Sequence, residues 1–143
     1  MMNMVMIVSE IDDVDRLGSL KQYFDVVDDF RITVLYISDP QEGLCLDAGT
    51  HAHYILPDAE LVFKQELEEH VSHVFLHWLD RVKFRHEVGN RSVVIDRVIR
   101  EEHADIVAVC RNRCDEDLLA SLGTHRVLFD DTRLELPLAT SQP

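Results

Sequence analysis

Residues 93–110 read VVIDRVIREEHADIVAVC, an amphipathic helical pattern that passes through a short acidic stretch into a continuous apolar run. The apolar residues of the first part recur at i, i+1, i+4 and i+5, the spacing of one helical face: Val94, Ile95, Val98 and Ile99. Residues 106–110 carry no polar side chain and predict a strand that is buried on both faces. A helix that leads into such a strand is half of a βαβ unit, so this stretch predicts an α/β fold.

Strand and helix patterns alternate along the rest of the chain. Strands are predicted at residues 5–9, 31–37 and 81–88, the last as an edge strand because apolar and charged side chains alternate along it. Helical patterns cover residues 12–29, 58 to about 80, and 118–129, and a long loop is predicted at 41–57. A short final strand is predicted from Leu134 to Leu138, at an edge because Pro137 has no N–H to donate. This order predicts one domain over residues 1–143, with a five-stranded, mainly parallel sheet and helices on both faces.

Composition narrows the class of protein. The chain has 27 acidic and 14 basic residues and a formal charge of −13, which would repel a phosphate backbone, so no nucleic acid partner is expected. The apolar first segment runs directly into Glu10, Asp12 and Asp13, unlike a secretory signal or a membrane span, so no membrane partner is expected. Three cysteines without a CxxC pair predict no disulfide framework and favour a cytoplasmic protein.

The order of elements, the stretch VVIDRVIREEHADIVAV and the pair Gly123-Thr124 resemble the universal stress protein family over nearly the full chain. The resemblance implies a Rossmann-like, adenine nucleotide alpha hydrolase-like fold. It also implies a homodimer paired through the final strand, here Leu134 to Leu138, with that apolar edge covered by its partner. The family contains members that bind ATP and members that do not, so the implied function is binding or regulation in stress response and not catalysis.

The ATP-binding members carry the motif Gly-x2-Gly-x9-Gly-Ser/Thr after the fourth strand, where the glycines let backbone N–H groups close on phosphates. When this motif is aligned with the chain, its four fixed positions fall on Cys110, Arg113, Gly123 and Thr124. Only Gly123 and Thr124 are the residues that the motif requires. A second alignment of LLASLGTHRVL places Ala120 and Ser121 at the final pair instead, and it restores neither of the first two glycines. The resemblance therefore implies a degenerate loop that does not bind ATP in the family's usual way, and no cofactor is expected.

A nucleotide-binding alternative stays open, because two guanidinium groups after the fourth strand could hold phosphates by side chain instead of by backbone. The family usually places an acidic residue near the base and ribose at the end of the first strand, where this chain has acidic residues as well. The candidate cofactor-binding residues, for ATP or AMP, are Glu10, Asp12, Arg111, Arg113, Gly123 and Thr124.

Three other groups of residues have side chains that can bind metal, respond to pH or react with oxidants. Glu66, His70, His73 and His77 fall on one side of the second predicted helix, a possible zinc or nickel face, although a solvated flank is the preferred interpretation and no metal site is predicted. Loop residues His51 and His53 could add ligands or respond to pH. Cys110 and Cys114 flank two arginines that could lower a thiol pKa and make it redox-active. No nucleophile elbow is present, so no catalytic residues are predicted.

Overall fold

The computed structural model describes residues 1–20, 29–39, 58–123 and 125–131, and these contain a five-stranded sheet. The strands are β1 (Met2–Val8), β2 (Phe30–Ser38), β3 (Val82–Val88), β4 (Ile106–Val109) and β5 (Arg126–Phe129). They lie in the order β3-β2-β1-β4-β5, and every pairing among them is parallel. The predicted α/β fold with a five-stranded parallel sheet is therefore confirmed, with β3 at an edge as its alternating pattern predicted.

Helices cover both faces of this sheet. They are α1 (Ile11–Gly18), α2 (Asp58–Val74), α3 (Arg91–Glu101) and α4 (Glu116–Leu122), with a 3-10 turn, Leu76–Trp78, after α2. α1 and α2 pack on one face, while α3 and α4 pack on the other, so the sheet lies between two apolar layers. No helix in the part of the chain that the structure describes is long and apolar enough to cross a membrane.

The stretch that predicted the fold is the centre of one apolar layer. Val94, Ile95, Val98 and Ile99 of α3 are all buried, and β4 is buried along its whole length. Each such aliphatic side chain contributes roughly 2 kcal/mol through loss of contact with water. α3 begins where the Asn90 side chain accepts a hydrogen bond from the Val93 N–H, a good N-cap.

Two predicted elements differ from the structure. The single helix predicted at 118–129 is wrong, because α4 ends at Leu122 and Gly123 adopts a φ of +60° that few other residues tolerate. The apolar run after it then forms β5 beside β4. The predicted final strand, Leu134 to Leu138, lies outside the described residues, as do the loop at 41–57 and residues 21–28 of the first predicted helix. The second predicted helix ends at Val74 and continues only as the 3-10 turn.

The strand order decides where a ligand crevice lies. The chain passes from β1 outward to β2 and β3, then returns to the opposite side of β1 as β4 and β5. Connections therefore diverge from the carboxyl ends of β1 and β4, which is the switch point where open α/β sheets bind ligands.

Candidate functional site

The crevice at the carboxyl ends of β1, β2 and β4 is narrow. Its walls include Ser9 after β1, Asp39 after β2, Arg91 at the start of α3, and Arg113 and Leu118 after β4. The enclosed cavity measures about 50 Å³, whereas pockets for small molecules usually occupy roughly 300–1,000 Å³. Among the described residues, the crevice itself therefore has room for little more than water.

Arg113 closes this crevice by an ion pair with the β1–α1 connection. Its Nε donates to Asp13 Oδ1 at 3.1 Å, and its Nη2 lies 3.6 Å from Glu10 Oε1. Asp13 is fully buried and also accepts hydrogen bonds from the N–H groups of Ser9, at 2.7 Å, and Glu10, at 3.1 Å. The hydrogen bond to Asp13 raises the pKa of Arg113. Because a buried carboxylate needs such a partner, the ion pair holds Arg113 against Asp13, while the outer part of the Arg113 side chain remains exposed.

Arg111 is engaged in a second set of contacts, on the β5 side of the same loop. Its Nε lies 2.9 Å from Asp131 Oδ2, and its backbone N–H donates to Asp130 Oδ1 at 2.8 Å. The guanidinium carbon lies 3.9 Å from the centre of the Phe129 ring, a cation–π contact. Asp131 raises the pKa of Arg111 by its hydrogen bond. Both arginines that could hold phosphates thus already bind carboxylates.

The backbone of the loop after β4 is also occupied. The chain forms a 3-10 turn over Arg111–Arg113, in which the Arg113 N–H donates to the Cys110 carbonyl at 2.9 Å. The Cys114 N–H donates to the Arg111 carbonyl at 3.1 Å. Cys110 has a φ of −77°, and His103 is the one non-glycine residue with positive φ in the described ranges, so the two lost glycines leave no strain. Amide groups that face phosphates in a glycine loop here bond to the turn itself.

The structure brings together only part of the predicted site. Glu10 and Arg113 meet in the crevice, whereas Asp12 is exposed and accepts from Arg16 one turn along α1, at 2.9 Å. Gly123 caps the carboxyl end of α4 and precedes the amino end of β5, so the length of α4 separates it from Arg113 at the other end of the sheet. Thr124 lies outside the described residues.

The structure also does not place the residues of the second alignment in a phosphate-binding loop. Ser121 lies in the last turn of α4, where its hydroxyl contacts the Ser92 hydroxyl of α3 at 2.7 Å and donates to the Asp117 carbonyl at 2.9 Å. These contacts join two helices on one face of the sheet. Ser121 and its neighbour Ala120 border an open cavity of about 430 Å³ beside the crevice, shared with Asp39 and Arg91.

The hypothesis of a reactive thiol is contradicted. Cys110 is buried, its Sγ lies 3.7 Å from the Asp13 carbonyl oxygen, and burial, followed by the charge of Asp13, raises its pKa to about 12. Burial and Asp115 raise the pKa of Cys114 as well. The neighbouring arginines therefore do not lower either thiol pKa below its ordinary value, because burial, together with nearby aspartates, raises both.

The histidine-bearing side of α2 contacts a neighbouring helix. His70 Nε2 lies 2.7 Å from Asp15 Oδ1 of α1, and the His70 and His73 rings are 6.3 Å apart between centres. His77 and Glu66 are exposed to solvent. In residues 1–20, 29–39, 58–123 and 125–131, no three His, Cys, Asp or Glu side chains form a group that could hold a metal ion. His51 and His53 lie outside these ranges.

A polar cluster that the sequence did not predict lies between β2, β3 and α2. Ser38 donates to Glu60 Oε2 and contacts His86 Nε2 at 2.8 Å, and the Tyr36 hydroxyl donates to the same Glu60 oxygen at 2.9 Å. The rings of Tyr36 and His86 stack with centres 5.1 Å apart. Burial, and secondarily Lys64, lowers the pKa of His86. Only the β2–β3 register, in which Tyr36 pairs with His86, brings these residues together.

The cluster contains serine, histidine and a carboxylate, but it lacks the geometry of a hydrolase. In a catalytic triad the histidine lies between the serine and the acid. Here Ser38 lies between His86 and Glu60, so a hydroxyl that donates to Glu60 accepts from His86 and loses no proton to it. Ser38 is also nearly buried, at 4% exposure. These contacts fasten α2 to the sheet.

Comparisons with known proteins agree with this fold. No family model and no curated protein sequence matches the chain. Among solved structures, a universal stress protein family member from Burkholderia pseudomallei superposes with a TM-score of 0.54 at 15% identity, covering 89% of this chain and 93% of that chain. A universal stress protein in complex with cAMP gives 0.54 at 12% identity, with 90% and 95% covered. One from Arabidopsis thaliana with AMP bound gives 0.52 at 13%, with 94% and 98% covered. The protein therefore has a universal stress protein-like fold, as the sequence resemblance implied.

Proposed function

We propose that this protein is a universal stress protein-like binding and regulatory module of the cytoplasm that acts in stress response without catalysis and without ATP bound in the family's usual way. The observation that supports this most strongly is the ion pair between Arg113 and the buried Asp13, which lies where phosphates would enter. The small crevice and the occupied amides of the Arg111–Arg113 turn support it further. A phosphate would have to displace internal carboxylates before it could bind.

A second candidate is adenine-nucleotide binding in the same crevice. Two neighbours of similar fold hold AMP and cAMP, and the Arg113 side chain is 34% exposed, so its outer edge faces solvent. The open cavity beside Arg91 and Ser121 adjoins the crevice and offers space for a nucleoside. In this alternative, Arg111 and Arg113 hold the phosphates and Glu10 or Asp12 contacts the base or ribose. Gly123, which the sequence alignment also selected, lies at the far end of α4 and would not contribute.

Analysis of co-purified ligand separates the two candidates. We expect protein that is purified without added nucleotide and then denatured to release no stoichiometric ATP or AMP by mass spectrometry. We also expect calorimetric titration of the native protein with ATP or AMP to give no binding heat. Near-stoichiometric nucleotide that Arg113→Gln abolishes and Arg126→Gln does not would establish the second candidate. Arg126 is a matched control because it is an exposed arginine at the opposite end of the sheet.

The proposed module forms a homodimer through Leu134 to Leu138 and binds a protein partner of unknown identity. An apolar strand at a sheet edge is satisfied by pairing with a second copy. Sedimentation at micromolar concentration is expected to give a dimer, and Leu136→Lys is expected to give monomer by placing a charge in that interface. Monomer alone for the unaltered chain would contradict the dimer and leave the nucleotide test unaffected.

A further inference from the structure

A second cavity lies at the opposite end of the sheet from the crevice, and none of the proposed functions uses it. It measures about 440 Å³, within the roughly 300–1,000 Å³ typical of small-molecule sites. Its walls are the amino ends of β1, β2 and β3 together with residues 101–103 at the end of α3. The cavity therefore has the size of a ligand site at a position formed by four elements.

Four polar side chains from the three strands meet in this cavity. Strand register pairs Asn3 with Arg31 and Thr33 with Lys83. Arg31 and Thr33 are two residues apart on β2 and so lie on the same face, about 6.6 Å from each other along the strand. That face is the one that α3 covers, because Thr33 also pairs with Val5 of the apolar layer beneath α3.

Two of these groups lack partners. The Thr33 side chain is only 5% exposed, yet its hydroxyl makes no hydrogen bond with any residue that the structure describes. Buried hydroxyl groups nearly always make a hydrogen bond, so the Thr33 hydroxyl is expected to have its partner inside the cavity. Arg31 forms no ion pair with any described residue either, although the chain carries a net charge of −13.

The other charges at the cavity are mostly balanced. Lys83 Nζ lies 2.9 Å from Glu102 Oε2. Arg85, which does not itself line the cavity, donates hydrogen bonds to both Glu101 and Glu102. Among the described residues, Arg31 is therefore a cation without a carboxylate partner, and it lies next to the hydroxyl of Thr33. The three carboxylates of the wall, Asp80, Glu101 and Glu102, equal in number the other cations at and behind it, Arg81, Lys83 and Arg85. Arg31 therefore adds one positive charge, and a second negative charge on a ligand would be uncompensated.

We infer that this amino-end cavity binds a small, singly charged organic anion, whose oxyanion lies on the Arg31 guanidinium and accepts from the Thr33 hydroxyl. The planar guanidinium suits two-point binding of a carboxylate. The uncharged body of the ligand occupies the remaining space beside Met4 and Leu79. A doubly charged phosphate monoester is disfavoured because Arg31 supplies only one uncompensated positive charge.

Titrations with three related probes, followed by amide NMR at pH 8, test this inference. Benzoate carries one negative charge, benzamide has the same shape without charge, and phenyl phosphate carries two. Benzoate is expected to give saturable shifts at Asn3, Arg31, Thr33 and Lys83. Benzamide is expected to give none, and phenyl phosphate weaker ones.

Variants assign the binding to the named groups. Arg31→Gln is expected to weaken benzoate binding at least about tenfold, since it removes a charge-assisted contact. Thr33→Val keeps the shape of the side chain and is expected to weaken it about threefold. Arg126→Gln, at the amino end of β5 outside the cavity, is expected to leave it unchanged. Absence of saturable shifts with benzoate, or equal affinity in Arg31→Gln, would overturn the inference, and Arg31 is exposed enough for that variant to fold.

Discussion

The arginines of the carboxyl-end crevice and Arg31 of the amino-end cavity differ in their pairing. At the carboxyl end, each of three guanidinium groups forms an ion pair with a carboxylate of the same chain: Arg113 with Asp13, Arg111 with Asp131 and Arg91 with Asp115. At the amino end, Arg31 has no such partner among the described residues and borders the larger cavity. Strand topology places a crevice at the carboxyl end in any sheet of this order. The difference shows that a crevice placed by strand topology can be closed by the chain's own ion pairs, although an open cavity of about 430 Å³ remains beside it.

The strongest way to break this comparison is to remove the buried carboxylate. Asp13→Asn leaves Arg113 without its partner, and we expect a loss of about 3 kcal/mol in the free energy of unfolding. Urea denaturation measures it. Asp12→Asn is the matched control, because Asp12 is exposed and pairs only with Arg16 on the surface. A loss for Asp13→Asn no larger than that of the control would show that the ion pair does not hold the crevice closed.

A smaller effect is expected from the charge network behind the amino-end cavity. Arg85→Gln removes bonds to Glu87, Glu101 and Glu102, and we expect a loss of about 1 kcal/mol in unfolding free energy. The freed carboxylates would also weaken benzoate binding by repulsion. Arg100→Gln, which breaks only a surface pair with Asp96, serves as the control. Benzoate affinity that is unchanged in Arg85→Gln would contradict the proposed charge balance.

The smallest expected effect is a pH dependence from His86. Its pKa in the folded protein lies below the ordinary value of 6.5 because burial disfavours the charged ring. Between the folded pKa and pH 6.5, the unfolded chain therefore binds more protons than the folded chain. The contribution of His86 to the free energy of unfolding is complete above pH 6.5 and is lost as pH falls through the lower, folded pKa. Its slope cannot exceed about 1.4 kcal/mol per pH unit. Denaturation at several pH values should show a shallower slope for His86→Gln than for the unaltered chain, and an equal slope would exclude His86 as the cause.

Much of the fold was predictable because burial is periodic. The stripe of Val94, Ile95, Val98 and Ile99 and the unbroken apolar run at 106–110 predicted α3 and β4, and the structure confirms both. The region after α4 was not predicted, since a four-residue strand is too short to show a period of two. Leu118 and Leu122 share a helical spacing that continues through the apolar residues of β5.

Less of the candidate site was predictable. Residues 111–114 follow a buried strand, so their position at the crevice was predicted, and Arg113 and Glu10 are indeed close there. Asp13, which holds Arg113, was noted only as one of several acids after β1. The partner of Arg111, Asp131, lies 20 residues away on the far side of β5, and no local pattern marks it.

The sequence by itself determined the alternation of strands and helices, the burial of β4 and the absence of two glycines from the loop that follows it, because each of these depends on residues that are neighbours along the chain. Only the tertiary structure decided which charges meet. It paired Arg113 with Asp13 across 100 residues and joined Ser38 to His86. It also placed Arg31 and Thr33 at one cavity, where neither has a polar partner in the part of the chain that the structure describes. Electrostatic contacts depend on distances in space, and strand register, not sequence spacing, sets those distances.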